Sequence, residues 1–421
     1  MERAQKKQIF SWALYDWANS AYSTTVMAGF FPIFFKKFWS DGADAIVTTA
    51  RLGTAIAVSS LAIALLSPTL GVVADLKGFK KLFCLLFTAV GVISCAWMGF
   101  IPAGDWVSAM WAYGIAMMAF NASSVFYDSL LPYVAEPHQM DYASSLGYAM
   151  GYLGGGVLFL INVLMYLFPE KFGIADGATA IQISFVMVAV WWTVFSLPLA
   201  KNVREPEIAV NKDNVVKLTL MSLRILGQTL KKLVREKNIL IFMVSYWLYI
   251  DGVYTVMTMA VDYGLSIGFE AKDLIAALLI TQFIGFPCAY YFGVVTSRWG
   301  TKLPILACIV MYSITVILST GMKEAWHFYM LAMVIGMFQG GVQSLSRSLF
   351  GRMIRKEESG EYFGLFNLVG RFASILGPVV VAVGVTVTSS SRWGMLGLLI
   401  LFVSGGALLA LVKEPARPQA P

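Results

Sequence analysis

Twelve apolar runs, each close to the twenty or so residues that cross a bilayer, recur along this chain. They fall near 10–35, 52–71, 82–101, 106–126, 145–168 and 178–199, and, after a polar interval, near 239–261, 273–295, 304–321, 326–346, 362–387 and 394–412. We number them helices 1 to 12. Inside lipid every backbone N–H and C=O must find its partner within the segment, so runs of this length fold as helices. Hydrophobic residues make up 58% and charged residues 13% of the 421, against about 45–50% and 25% in soluble domains. Mean hydropathy is +0.72. Arg3, Lys6 and Lys7 precede the first run as in a signal peptide. That run is too long for an h-region, carries Asp16 and lacks a small-residue cleavage pattern, so it reads as helix 1.

An even number of helices puts both termini on one side, and the Lys/Arg asymmetry says which. Twenty-two of the 31 basic residues lie before helix 1, in the even-numbered connections or after helix 12, and seven lie on the other side. Both termini are therefore expected in the cytoplasm, with the chain multi-pass in the cell's inner (plasma) membrane. The net charge of +7 then reflects topology and contact with anionic lipid, and no nucleic-acid partner is expected. Cys84, Cys95, Cys288 and Cys308 all fall inside spans, with no zinc or disulfide spacing. His138 and His327 sit in connections. No metal, no cofactor and no nucleophile–base motif is expected, so the chain does not read as an enzyme.

The two halves resemble each other. Helix 1 carries Trp12, Asp16, Asn19 and Ser23; helix 7 carries Trp247, Asp251, Tyr254 and Thr258, at identical spacing along one helical face. After helices 2 and 8, "GVVADLKGFKKL" at 71–82 matches "GVVTSRWGTKLP" at 293–304, aligning Gly71 with Gly293, Gly78 with Gly300 and Lys80 with Lys302. A third echo pairs "YDSLL" at 127–131 with "SRSLF" at 346–350. Internal duplication of this kind is common in membrane carriers. The expected fold is an all-α membrane protein of twelve transmembrane helices in two pseudo-symmetric six-helix bundles. Residues 1–199 form the first bundle, 200–238 a cytoplasmic amphipathic linker and 239–421 the second. Within the linker, Val216, Leu220, Leu223, Leu226, Leu230 and Leu233 recur at helical spacing, flanked by Lys217, Arg224, Lys231 and Arg235. That pattern predicts a basic helix lying on the lipid surface.

The segment "GVVADLKGFKK" resembles the loop signature of the major facilitator superfamily, and with twelve spans, two halves and a central linker the likeness covers the whole chain. Within that superfamily, "WALYDWANSAYSTTVMAGFFPIFF" and "QGGVQSLSRSLFGRMI" followed by "EYFGLFNLVGRFASILGP" are similar to the autophagy-linked vacuolar amino-acid effluxer branch, whose bacterial members are called the unknown major facilitator family. The resemblance implies a carrier and suggests amino acids. It also implies that helices 1, 4, 7 and 10 line a central cavity, and that Gly71, Asp75, Gly78 and Lys80 form a gating latch against the start of helix 11. Ser297 stands where the first half has Asp75, so the second-half loop is expected to lack a charged latch and the halves to gate unequally.

Polar residues at membrane depth face a cavity or a partner, since a carboxylate there costs about 2.5–3.5 kcal/mol on insertion scales. The candidates for substrate binding or coupling are Asp16, Asn19, Tyr22, Asn121, Asp251, Tyr254, Gln339, Gln343 and Arg371. Asn121, Gln339 and Gln343 fit either a cavity lining or interhelical packing. Asp251, a dozen residues into helix 7, lies near the midplane and is the candidate for proton exchange. Arg371 keeps its charge and needs an anion, which is Asp16, Asp251 or a substrate carboxylate. Asp128 and Arg347, near the cytoplasmic ends of helices 4 and 10, are a candidate gate pair. Fixed charges of both signs suit a zwitterion. The expected function is secondary transport of a small polar or zwitterionic solute by alternating access, with protons as a candidate coupling ion and a monomer as the expected state. An exporter of amphipathic compounds is a rival within the class, and a non-transporting receptor or scaffold a rival outside it.

Overall fold

The computed structural model describes residues 3–40, 45–204, 215–266, 271–322, 324–373, 376–388 and 391–415. Helix 1 is α-helical over Arg3–Ala21 and continues through π-helical turns at Tyr22–Phe30 and Phe35–Trp39, separated by Phe31–Phe34. Pro32, which has no N–H to give the ladder, lies in that short separating piece. Helices 2 to 6 are Ala45–Lys77, Lys80–Met98, Trp106–Val134, Met140–Leu167 and Gly177–Asn202. The linker forms a helix at Val215–Arg235, and helices 7 to 10 are Lys237–Ser266, Ala271–Trp299, Lys302–Ser319 and Ala325–Met353. Helix 11 comes in two pieces, 11a at Ser359–Phe372 and 11b at Leu376–Thr388; helix 12 is Ser391–Leu396 followed by Leu398–Leu411. This is the all-α, twelve-helix architecture expected from the apolar runs.

Two boundaries differ instructively from those runs. Helices 2 and 4 reach well past their apolar windows, through Lys77 and Val134. The extensions hold polar residues that hydropathy scores as loop, yet they stay helical because their side chains are paired across the molecule. Helix 11, expected to be continuous, is interrupted just before Gly377 and Pro378. Pro378 falls in the first turn of helix 11b, where a missing N–H costs no intrahelical hydrogen bond.

The halves meet through helices 2 against 11a and 5 against 8, with 4 and 5 also touching 11a and 10. Glycines set the closest approaches. An added Cβ on Gly71 would collide with the Gly360 carbonyl, and one on Gly293 would come within 2.6 Å of the Ser145 Cβ. Gly78 and Gly300 end helices 2 and 8 at φ 67° and 77°, in the left-handed region that favours glycine. Both termini lie at this end of the bundle: Gln5 Nε2 donates to Gln139 Oε1 at 2.7 Å, and Glu414 accepts from the Thr301 N–H at 2.9 Å. We call it the terminal face. At the opposite face Asp105 and Asp176 cap helices 4 and 6, accepting from the N–H groups of Ser108 and Thr179. Those hydrogen bonds hold both carboxyls below their ordinary range.

Candidate functional site

Arg347, on helix 10, sits between the halves with 4% of its side chain exposed. Its Nη1 donates to Asp128 Oδ1 on helix 4 at 2.9 Å, and its Nη2 lies 3.5 Å from Asp16 Oδ2 on helix 1. The fork is completed by helix 5, where Nε donates to Ser144 Oγ at 2.8 Å and Nη2 to the Ser144 carbonyl at 2.9 Å. Aromatic faces surround the cation: the guanidinium carbon lies 4.5 Å from the Tyr148 ring, 5.0 Å from Trp12 and 5.4 Å from Tyr127. Such rings attract a desolvated cation while excluding water. Tyr127 also donates its hydroxyl to Asp16 Oδ2 at 2.8 Å, and Asn367 Nδ2 on helix 11a donates to Asp128 Oδ2 at 3.2 Å. One guanidinium thus ties helices 1, 4 and 5 of one half to helix 10 of the other.

Two latches flank this cluster. In the first, Asp75 at the end of helix 2 accepts from the N–H groups of Gly360 and Glu361 at 2.9 and 2.8 Å, while Lys80 Nζ lies 2.5 Å from Asp75 Oδ1. Those N–H groups belong to the first turn of helix 11a, where the backbone has unpaired donors and the positive end of the dipole. Burial pushes the Asp75 carboxyl up, and Lys80 opposes the shift.

The second latch draws its acid from outside the second-half loop, where Ser297 stands in place of Asp75. Its acid is Asp141, in the first turn of helix 5, and not on the loop. Asp141 Oδ1 pairs with Arg352 Nη1 at 2.6 Å and accepts from Ser348 Oγ, and its Oδ2 accepts from Thr301 Oγ1 at 2.8 Å. Glu414, just beyond helix 12, accepts from the N–H groups of Thr301 and Lys302. The charge has moved to the opposite partner, so reading the loop alone missed it. Lys302 also departs from its repeat partner. It donates to the carbonyls of Ala410 and Val412 at the end of helix 12, as Lys81, not Lys80, donates to Ala200 and Val203 at the end of helix 6. A cation on the last carbonyls of a helix is favoured by the dipole.

Asp251, buried in helix 7, accepts from the N–H groups of Leu376 and Gly377 at 3.0 and 2.7 Å and from Thr255 Oγ1 at 3.3 Å. It caps helix 11b, which explains how the broken helix is tolerated at that depth. Gly377 is required for this contact, since an added Cβ would strike Thr255 Oγ1 and sit 2.7 Å from Asp251 Oδ1. Arg371 lies on helix 11a, and its side chain lies outside the described residues. Asp16, one of the anions open to it from the sequence, is engaged by Arg347.

The remaining candidates fall into three groups. Tyr22 packs inside the first half, stacked on Trp192 at 5.6 Å and beside Phe120, and Asn19 is buried with it on helix 1. Asn121 Nδ2 and Gln339 Oε1 are buried and have no hydrogen-bond partner among the described residues. Gln343 and Tyr254 are half-buried. Sequence reasoning missed Ser144, Asp141, Arg352, Asn367 and Glu414. All but Asn367, which falls within the helix 11 run, lie near helix ends that hydropathy assigns to connections. Their signal was the echo of "YDSLL" and "SRSLF", which marks the helix 4 and 10 ends as built for something.

The family model described as "Vacuole effluxer Atg22 like" matches residues 4–417. The chain belongs to the Atg22-like family. It is a secondary transporter of the major facilitator superfamily and not an enzyme. An uncharacterized MFS-type transporter of Bacillus subtilis, YxiO, is 36% identical to this Atg22-like chain over 417 residues, 97% of this chain and 95% of that one. Autophagy-related protein 22-2 of Aspergillus clavatus is 25% identical over 262 residues, covering 56% of this chain and 42% of the fungal protein. Among solved structures, the major facilitator transporter FucP in its outward conformation superposes with a TM-score of 0.71 at 11% identity, covering 98% of this chain and all of FucP. At that identity the likeness concerns the fold.

Proposed function

We propose that this Atg22-like transporter carries a small zwitterionic solute, of the size and chemistry of an amino acid, by alternating access. The observation that carries the reading is Arg347 bridging Asp16 and Asp128 across the halves. To open the terminal face the protein must separate those charges, and a buried ion pair broken on one side costs about 3–5 kcal/mol. A zwitterion carries both replacements. Its carboxylate takes the guanidinium fork in a bidentate pair, and its ammonium takes Asp16. The exchange conserves charge inside the bundle. The unpartnered amide atoms of Asn121 and Gln339 add hydrogen-bonding capacity that a polar solute satisfies and an apolar drug does not. The Lys/Arg asymmetry orients the terminal face to the cytoplasm, so the closed terminal face described above belongs to the outward-facing state. Protons entering through Asp16 or Asp128 would weaken the same ion pairs and so provide coupling.

The test is flux into proteoliposomes loaded with a panel of amino acids, with and without a pH gradient. Counterflow of at least one zwitterionic amino acid, lost in Arg347→Gln, supports the proposal. Transport restricted to uncharged or apolar compounds overturns it.

A further inference from the structure

A cleft of about 570 Å³ opens on the terminal face where the linker helix, the start of helix 7, the helix 10–11 turn and the end of helix 12 converge. Its walls are clamped: Asn238 Nδ2 donates to the Lys413 carbonyl at 2.9 Å, and the Lys413 N–H donates to Asn238 Oδ1 at 2.8 Å. The charges lining it are unequally committed. Lys232 is engaged by Glu358 at 2.8 Å, and Glu414 by the backbone of Thr301 and Lys302. Lys237, Arg355 and Lys413 line the same cleft, and among the described residues none of their side chains reaches an acidic partner.

Arg352 supplies the second observation. Its side chain is 2% exposed, it lines the cleft, and its Nε has no hydrogen-bond partner among the described residues, although Nη1 is engaged by Asp141 and Nη2 by Thr301 and, at 3.5 Å, by Glu414. A buried guanidinium N–H left unmade costs about as much as the hydrogen bond it lacks, so it marks a place where an acceptor belongs.

We propose that this cleft binds a phosphate-bearing anion. The five basic residues exceed the three carboxylates that line the cleft, Glu236, Glu358 and Glu414, by two charges, and by one once Asp141, paired with Arg352 from outside it, is counted, an excess that a phosphate monoester of charge about −1.5 to −2 neutralises. Three acceptor oxygens suit the convergence of one buried N–H and three long flexible cations. The anion is carried either by a lipid headgroup at the membrane surface or by a soluble phosphate. Because Arg352 also holds Asp141, an anion seated on Nε ties the cleft to the second latch between the halves.

The experiment uses the full-length protein in nanodiscs of neutral phosphatidylcholine, titrated with pyrophosphate, and separately in nanodiscs containing phosphatidic acid. Thermal unfolding is the readout, with Lys237→Gln/Arg355→Gln/Lys413→Gln as the variant. Arg352 is left intact because it belongs to the latch. A rise in Tm with pyrophosphate identifies a soluble ligand, and a rise confined to phosphatidic acid identifies a lipid. In either case the triple variant should need at least about tenfold more ligand, equivalent to about 1.4 kcal/mol. Raising salt should weaken binding further. No stabilisation of the wild-type protein by either source, or equal stabilisation of the variant, overturns the site. The readout needs no transport, so it stands or falls separately from the substrate proposed above.

Discussion

Asp128 and Arg347 occupy the same position of the two repeats, the second residue of "YDSLL" and of "SRSLF", and they form an ion pair at 2.9 Å across the pseudo-two-fold axis. Identical charges at that position would repel each other at the point where the halves meet. Opposite charges at matching positions of the repeat make the contact attractive instead. The neighbouring serines also reach the other half, through different atoms: Ser348 Oγ donates to Asp141 at the start of helix 5, and the Ser129 carbonyl accepts from Ser359 Oγ at the start of helix 11a.

That relationship predicts the effect of exchange. Arg347→Gln or Asp128→Asn should open the terminal face, because either leaves a buried charge without its main partner, at a cost of about 3–5 kcal/mol to the closed state. A cysteine placed in the terminal half of the cavity should label faster in both. The double exchange Asp128→Arg/Arg347→Asp should slow labelling again, since the two positions are related by the repeat. Labelling of the double variant as fast as that of the single ones would show that Ser144 and the aromatic box, not the pair, hold the halves together.

The two latches predict comparable effects from different residues. Asp75→Asn and Asp141→Asn should each shift the protein toward opening of the terminal face, by up to about thirtyfold if each anion contributes about 2 kcal/mol. Ser297→Ala should change accessibility far less, because the acid of the second latch is Asp141. Cysteine labelling of the three variants in one background decides the matter. An effect of Ser297→Ala equal to that of Asp141→Asn would sink this assignment.

Asp251 predicts a structural outcome. It accepts two backbone N–H groups at the head of helix 11b, so Asp251→Ala should lower stability by about 0.5–2 kcal/mol, as for loss of a helix cap. Gly377→Ala should be worse, for the steric reason given above. Asp251→Asn keeps one acceptor oxygen and should retain pH-gradient-driven uptake at reduced thermal stability. Loss of gradient coupling with unchanged Tm would return Asp251 to the role of proton carrier.

Glu361, the residue whose N–H binds Asp75, predicts a pH dependence at the terminal face. Burial pushes its carboxyl up to about 7, with Asp75 and Glu358 adding repulsion and Thr229 and Lys232 opposing it. Its Oε1 has no hydrogen-bond partner among the described residues. A carboxyl raised in the folded state binds more protons folded than unfolded, so its contribution is complete below about pH 4.5 and is lost as pH rises through about 7. Wild-type Tm should therefore fall between pH 5 and pH 8 by more than that of Glu361→Gln, which has nothing to titrate. Parallel Tm profiles for the two proteins would remove Glu361 as the cause.

The linker illustrates a different limit of the sequence. Its heptad-like leucines predicted a helix on the lipid surface, and a helix forms at Val215–Arg235. Yet Leu233 is buried in the core of the second half, and Lys232 reaches Glu358 at 2.8 Å. An apolar face says that something covers it, and either lipid or protein satisfies the pattern.

What the sequence determined by itself was everything written in composition and period. Twelve spans follow from runs of apolar residues, because lipid leaves a backbone no alternative to the helix. The repeat is legible in Trp12/Trp247, Asp16/Asp251, Gly71/Gly293 and Gly78/Gly300, because helix spacing and left-handed turns restrict which residues can stand there. Pairing was different. That Arg347 would choose Asp128 and Asp16, that Asp251 would cap a broken helix, and that Asp141 would supply the acid missing from position 297 depend on contacts between residues more than a hundred positions apart. A charge announces in sequence only that it needs a partner. Which partner lies within reach is decided by how the two halves pack, and only the tertiary structure contains that distance.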